Sequence, residues 1–335
     1  GKLLRGTGAH TAFFEHLRRF LRHPRRRVVF VTGNHDLELL FAEVQTLLAN
    51  LCGGDVVFPG HAYRVGDVQI EHGYQADPLF TVDVENPFVD HRGERILNLP
   101  WGAVALLEVA IPLVPLFYAL DRVKPREIVL EQLPEVRDLL LSSFWRYWTR
   151  DYWRDYFADA DPMKKVSWTM LREVVYRFGT RYADVSMGDH YQRMLRDSDS
   201  PRLLLVGHQH EPAWWSAGDR KVLRTGCFRN EFVLRDGSYQ LLPKVYAEAY
   251  LAAGRVVRSQ LVEVDAPEPP LGYMPERLED VRPHALELLE RIRRETPDES
   301  KAQAAQVAEE ARHAELDADD GFAFMRTLRR ALLGD

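Results

Sequence analysis

Only two cysteines, Cys52 and Cys227, occur in 335 residues, so cysteine spacing yields neither a disulfide framework nor a multi-cysteine zinc site. That scarcity makes a reducing compartment, and hence the cytoplasm, the expected setting. No Gly-rich phosphate loop of the GxxxxGK type occurs, which removes a nucleotide-driven motor from consideration. A dominant charge is also lacking. A net charge of −6 gives no global electrostatic reason to expect nucleic acid as a partner, and Arg25 to Arg27 read as a solvated helix-to-strand junction. The opening residues, Gly1 to Arg5, hold no apolar signal region. An unbroken membrane span is missing too. Leu99 to Leu120 approaches the roughly 20 apolar residues that a spanning helix needs, but Glu108, Pro112 and Pro115 interrupt it. That stretch reads as a buried helix or apolar cap, with peripheral contact to a bilayer or a lipid substrate left open.

What is present is ordinary globular composition, 46% hydrophobic and 28% charged, with length for one large domain plus appendages or for two domains. Phe13, Phe14, Leu17, Phe20 and Leu21 recur at helical spacing over Thr11 to Leu21, and the β-branched run Arg27 to Thr32 predicts a buried strand after it. A helical pattern resumes from Leu37 to Leu48. Asp55 to Phe58, Ala62 to Val65 and Val68 to Glu71 predict short strands separated by Pro-Gly and Gly-Asp turns. From Asn98 to about Arg196, long helical stretches rich in Trp, Tyr, Phe and Arg interrupt the alternation. Strands return at Arg202 to Val206, Lys221 to Thr225, Phe232 to Arg235, Ser238 to Val245 and Arg255 to Val264, with Asp236-Gly237 as a hairpin turn. After the Pro-rich junction Ala266 to Pro275, two charged helices are expected, around Val281 to Thr296 and Ser300 to Leu333. The predicted fold is a layered α/β domain of two facing sheets flanked by helices, spanning residues 1–97 and 197–265. Residues 98–196 form a helical insertion or cap in this reading, and residues 266–335 a charged helical tail.

Three of the predicted strands end on metal-ligating side chains. The first runs out at Gly33-Asn34-His35-Asp36, the second at His72-Gly73, and the third at Gly207-His208-Gln209-His210. In open α/β folds the loops at the carboxyl ends of strands are where ligands bind. A lone histidine is more often a hydrogen-bonded structural residue, and Asn beside Gly more often satisfies a turn. All three at strand exits reverse that expectation. A donor set of imidazole, carboxamide and carboxylate suits manganese, iron or zinc, and not calcium.

Those motifs, with Glu71-His72-Gly73 and the strand Leu223-Arg224-Thr225-Gly226-Cys227, resemble the calcineurin-like metallophosphoesterases over about Val28 to Leu234, the insertion excluded. The resemblance implies a metallophosphoesterase-like β-sandwich flanked by helices. It implies two divalent ions, manganese foremost and iron or zinc next, with Asn34, His72 and His208 on one and His210 on the other. It gives His35 the role of proton donor to the substrate, with Asp36 orienting it. The family opens with an Asp-x-His block and a Gly-Asp block, and neither precedes Gly33. Gly188-Asp189-His190 lies in a helical stretch after the wrong motifs. The chain is therefore expected to be an N-terminally truncated piece of a longer enzyme.

The expected activity is hydrolysis of a phosphomonoester, a phosphodiester or a pyrophosphate linkage by a metal-activated water with His35 as acid. The substrate would be a phosphorylated small molecule or a lipid-linked one. An aromatic insertion could roof the site for acyl chains, as a helical cap does in the family's UDP-diacylglucosamine hydrolases, or pack on its own core; no substrate-binding residue is assigned. Two other classes stay open: a non-catalytic metal-binding or scaffold protein of the same fold, and a membrane-peripheral lipid-binding module built on Leu99 to Leu120.

Overall fold

A computed structural model of the chain describes residues 8–105, 107, 122–124, 188–197, 199–236 and 238–265, with isolated positions at 134, 143, 147 and 163 and between 282 and 294. In chain order the elements are α1 (Gly8–Leu21), β1 (Val28–Val31), a 3-10 turn (Leu37–Leu40), α2 (Ala42–Cys52), β2 (Val56–Gly60), β3 (Ala62–Val65) and β4 (Val68–Glu71). A second 3-10 turn (Tyr74–Ala76) precedes β5 (Phe88–His91), β6 (Glu94–Leu97), α3 (Trp101–Ala105), β7 (Val123–Lys124) and α4 (Gly188–Arg196). The rest is strand: β8 (Leu203–Val206), β9 (Ala213–Ala217), β10 (Arg220–Arg224), β11 (Phe232–Arg235), β12 (Ser238–Leu241), β13 (Lys244–Ala252) and β14 (Arg255–Val264). The protein is mixed α/β, with several sheets.

The largest sheet has the order β3-β4-β8-β10-β9. Its three inner strands are mutually parallel, and β3 and β9 run antiparallel at the edges. Strand β8, Leu-Leu-Leu-Val, is buried on both faces, as an unbroken apolar run in a parallel sheet should be. Leu204 and Val206 pack with Tyr191 and Leu195 of α4, while Leu203 and Leu205 pack toward Ala247, Ala249, Val256 and Leu261 of the β13-β14 ribbon. The sheet is thus covered by one helix and one ribbon. At roughly 1.5–3 kcal/mol per buried aliphatic side chain, β8 contributes up to about 6–12 kcal/mol. The ribbon's turn docks on the β3-β4 turn, where Asp67 N donates to Gly254 O at 2.8 Å. Gly66 there has φ +54, and a Cβ on it would collide with the Gly254 carbonyl.

The predicted helix from Leu37 to Leu48 is two elements. Phe41 adopts extended backbone (φ −79, ψ 129) between the 3-10 turn and α2. Leu37 and Leu39 then both turn inward. The single strand expected over Ser238 to Val245 is likewise divided between β12 and β13. Within the expected helical insertion, β7 is a strand paired in parallel with β11. The aromatic run from Phe144 to Trp148 lies outside the described residues apart from Tyr147, as do most of Leu99 to Leu120 and all of the helix expected over Ser300 to Leu333. Described positions between 282 and 294 are helical, with Arg294 and Glu290 paired at 3.2 Å one turn apart. Among the described residues no helix is long and apolar enough to cross a membrane.

Candidate metal centre

Because β4 and β8 are adjacent and parallel, their exits lie side by side. Gly207 N donates to His72 O at 2.8 Å, carrying the pairing beyond the last strand residue. The His72 and His208 rings follow, edge to face, with centroids 5.2 Å apart. His208 holds φ +65, a left-handed conformation that costs a non-glycine residue about 1–2 kcal/mol. Buried Arg224, at the end of β10, braces this loop by donating from Nε to Glu211 O at 2.6 Å and from its guanidinium to Gln209 Oε1. The exit of β1 closes the site from the other side. A Cβ on Gly33 would stand 2.5 Å from His72 Cδ2, so only glycine allows this approach. Asp36 Oδ1 accepts the Gly33 N–H at 2.6 Å and closes the turn.

The polar accounting inside this pocket is incomplete. Asn34 is 2% exposed, yet neither Nδ2 nor Oδ1 has a hydrogen-bond partner, and His72 Nδ1 is equally buried and unpartnered. Each such atom costs about 1–3 kcal/mol, and native proteins leave few of them. Burial, followed by the charges of His208, His35 and His210, lowers the His72 pKa to about 3, so its ring is neutral at pH 7 with a lone pair to donate. His208 Nε2 donates to Asp77 Oδ2 at 3.2 Å, and Asp77 Oδ1 accepts from Leu79 N at 3.0 Å. A buried carboxylate behind an imidazole is how ligating histidines are held, and with Nε2 so engaged Nδ1 is the His208 atom that would bind an ion. One carboxamide and two imidazoles fit a borderline divalent cation.

His35 and Asp36 divide differently. His35 is exposed, its ring 5.9 Å from Phe80, whose ring is in turn 5.7 Å from that of His208. It stands at the mouth and not among the buried donors. Burial raises the Asp36 pKa, and the group this carboxylate is seen to hold is the Gly33 amide. His210 points elsewhere again: its Nδ1 donates to Glu231 Oε1 at 2.6 Å. Hydrogen bonds to Cys227 and to Glu231 raise its pKa to about 9. Glu231, 2% exposed, also receives Arg229 Nε at 2.9 Å, with Lys124 Nζ 3.7 Å from Oε2. Burial pushes Glu231 up, but the hydrogen bond from His210 and the charge of Lys124 outweigh it and leave its pKa low.

The structure therefore brings His72 and His208 together beside the Gly33-Asn34 turn, sets exposed His35 next to them, and turns His210 toward Cys227 and Glu231. Asp189 and His190 are exposed on α4. Sequence reasoning missed Asp77, Cys227 and Glu231 as site residues. Asp77 carried one faint signal, an Asp-Pro pair shortly after His72; Glu231 carried none. Comparison of the chain with protein-family models, curated proteins and solved structures finds no match.

Proposed function

We propose that this chain is a metal-dependent phosphoester hydrolase, with a metallophosphoesterase-like sandwich as its fold. The observation that carries the reading is the approach of His72 and His208 beside the Gly33-Asn34 turn, with Asn34 Oδ1 and His72 Nδ1 both buried and unpartnered. The order of the motifs, which resembles that of the calcineurin-like enzymes, supports the same reaction class. A divalent ion held by these residues supplies charge neutralisation for phosphoryl oxygens and activation of water at neutral pH. Asp77 fixes the His208 ring and its tautomer. His35, exposed at the rim, gives a proton to the leaving oxygen, and Phe80 sets the wall between it and His208. The substrate is a phosphorylated small molecule or a lipid-linked phosphoester, with manganese as the first ion to test and iron or zinc next.

The test is elemental analysis of manganese-loaded protein alongside turnover of p-nitrophenyl phosphate and bis(p-nitrophenyl) phosphate. Wild type should bind metal and hydrolyse at least one ester; His72→Ala should lose both together. Metal binding with no turnover of either ester would favour a second reading, a binding or scaffold protein. The observation behind that alternative is that His210 is already engaged by Glu231 at 2.6 Å.

A further inference from the structure

We infer that His210, Cys227 and Glu231 form a second metal position of their own, suited to a thiophilic divalent ion of the zinc type. One ligand atom from each of the three lies within 4.8 Å of the others. The inference rests on the reading of His210 as a ligand and supplies its partners.

The backbone brings these residues together for a definite reason. His210 follows β8 and Cys227 follows β10, and these strands are parallel neighbours, so both chains leave the sheet at the same edge. Gly226 makes the close approach: at φ +75, its Cβ position lies 2.7 Å from His210 O, where no side chain fits. Glu231 enters from the start of β11. Its Oε1 is saturated by His210 and Arg229, whereas its buried Oε2 has no hydrogen bond, with Lys124 Nζ 3.7 Å away. That leaves one carboxylate oxygen free to bind.

The donor chemistry sets the ion. Imidazole, thiolate and carboxylate together are a zinc-type set, and three protein ligands leave the fourth tetrahedral position open, as in catalytic zinc sites. Thiolate also selects against manganese and magnesium, which the Asn34, His72 and His208 set would accept. Two positions of different softness would sit on one loop, separated by Gln209. On binding, the thiol proton of Cys227 and one imidazolium proton of His210 leave to solvent, and a sulfur–metal and a nitrogen–metal bond form in their place.

Cobalt(II), a spectroscopic stand-in for zinc, tests this directly. The full chain should show a near-ultraviolet thiolate-to-cobalt charge-transfer band that Cys227→Ser abolishes and His72→Ala retains, and Cys227→Ser should bind one ion fewer. As a check independent of that variant's folding, zinc should slow thiol modification of Cys227 at least tenfold in both wild type and His72→Ala; Cys52 is buried. Absence of the band in wild type, or unchanged thiol reactivity with zinc, would overturn the inference and leave Glu231 as a residue that only orients His210. A retained band with no ester turnover would sink the hydrolase reading and leave this site standing.

Discussion

Gly33→Ala is the smallest change that should separate ligand geometry from ligand chemistry. The added methyl would lie 2.5 Å from His72 Cδ2 and 2.9 Å from Nε2, and 2.7 Å from Asp36 Oδ1. Carbon atoms pack at about 3.5–4.0 Å, so the imidazole must retreat by about 1 Å or the turn must open. Metal sites tolerate donor displacements of only about 0.2 Å, and disturbances behind a ligand cost about 10–100-fold in affinity. Overpacking of this kind also costs about 1–3 kcal/mol of stability. Gly207→Ala is the matched control, because its methyl would meet nothing closer than His72 O at 3.4 Å. Manganese affinity by titration calorimetry and thermal midpoints should be measured for both variants. Gly33→Ala is expected to lose at least tenfold in affinity and Gly207→Ala to stay within about twofold of wild type. Equal affinities for the two variants would refute the claim that Gly33 exists to admit His72.

His35→Ala should retain bound metal and lose about 10²–10⁴-fold in turnover, read by elemental analysis beside steady-state rates; release of the metal would make His35 a ligand. Asp77→Asn should weaken metal binding by about 10–100-fold in calorimetry, since the ring it holds loses its anchor, and undiminished affinity would remove that role. For the metal-free chain, pH acts through two histidines in opposite senses. The folded His72 pKa of about 3 lies below its unfolded value of about 6.5, so its contribution is full above about pH 6.5 and is lost as pH falls toward 3. The folded His210 pKa of about 9 lies above its unfolded value, so that contribution is full below about pH 6.5 and is lost as pH rises through 9. Urea midpoints in chelator should therefore decline on both sides of neutrality, with His210→Gln flattening only the alkaline side; no decline toward pH 3 would contradict the His72 assignment, and no decline through pH 9 the His210 one. Gly66→Ala should destabilise by about 1–2 kcal/mol from backbone strain alone, and by more from the collision with Gly254 O, in the same urea assay. A neutral result would mean the two turns do not dock.

Much of this fold is written locally. Ala62–Val65, Val68–Glu71, Phe232–Arg235 and Arg255–Val264 are strands with the bounds that alternation and turn residues predict, because each stretch carries its own pattern and punctuation. The elements that were not legible depend on partners elsewhere. Strand β7 is two residues long and exists because β11 pairs with it, which leaves no local signature. Strand β9 is a short edge segment between Pro212 and Gly218, and its Trp pair alternates in exposure because Tyr191 and Leu195 of α4 cover the face that carries Trp215. At the site, the histidines were legible from their place at strand exits. The carboxylates behind two of them were not, since Asp77 and Glu231 are matched to His208 and His210 by sheet topology and by no spacing along the chain.

Strand β8 also sets when the site can come into being. It pairs with β4 across the whole insertion, Val68 opposite Leu203, and its loop contacts a carboxylate 131 positions away. Closing a loop of that length carries a length-dependent entropy cost of about 4 kcal/mol before any strand contact compensates it. A nascent chain must therefore finish β8 before His72 and His208 can meet, so the candidate site cannot form until then. Until then the β8 side of β4 is unpaired, and the interval between its synthesis and that of β8 is when this protein is most exposed to misassembly.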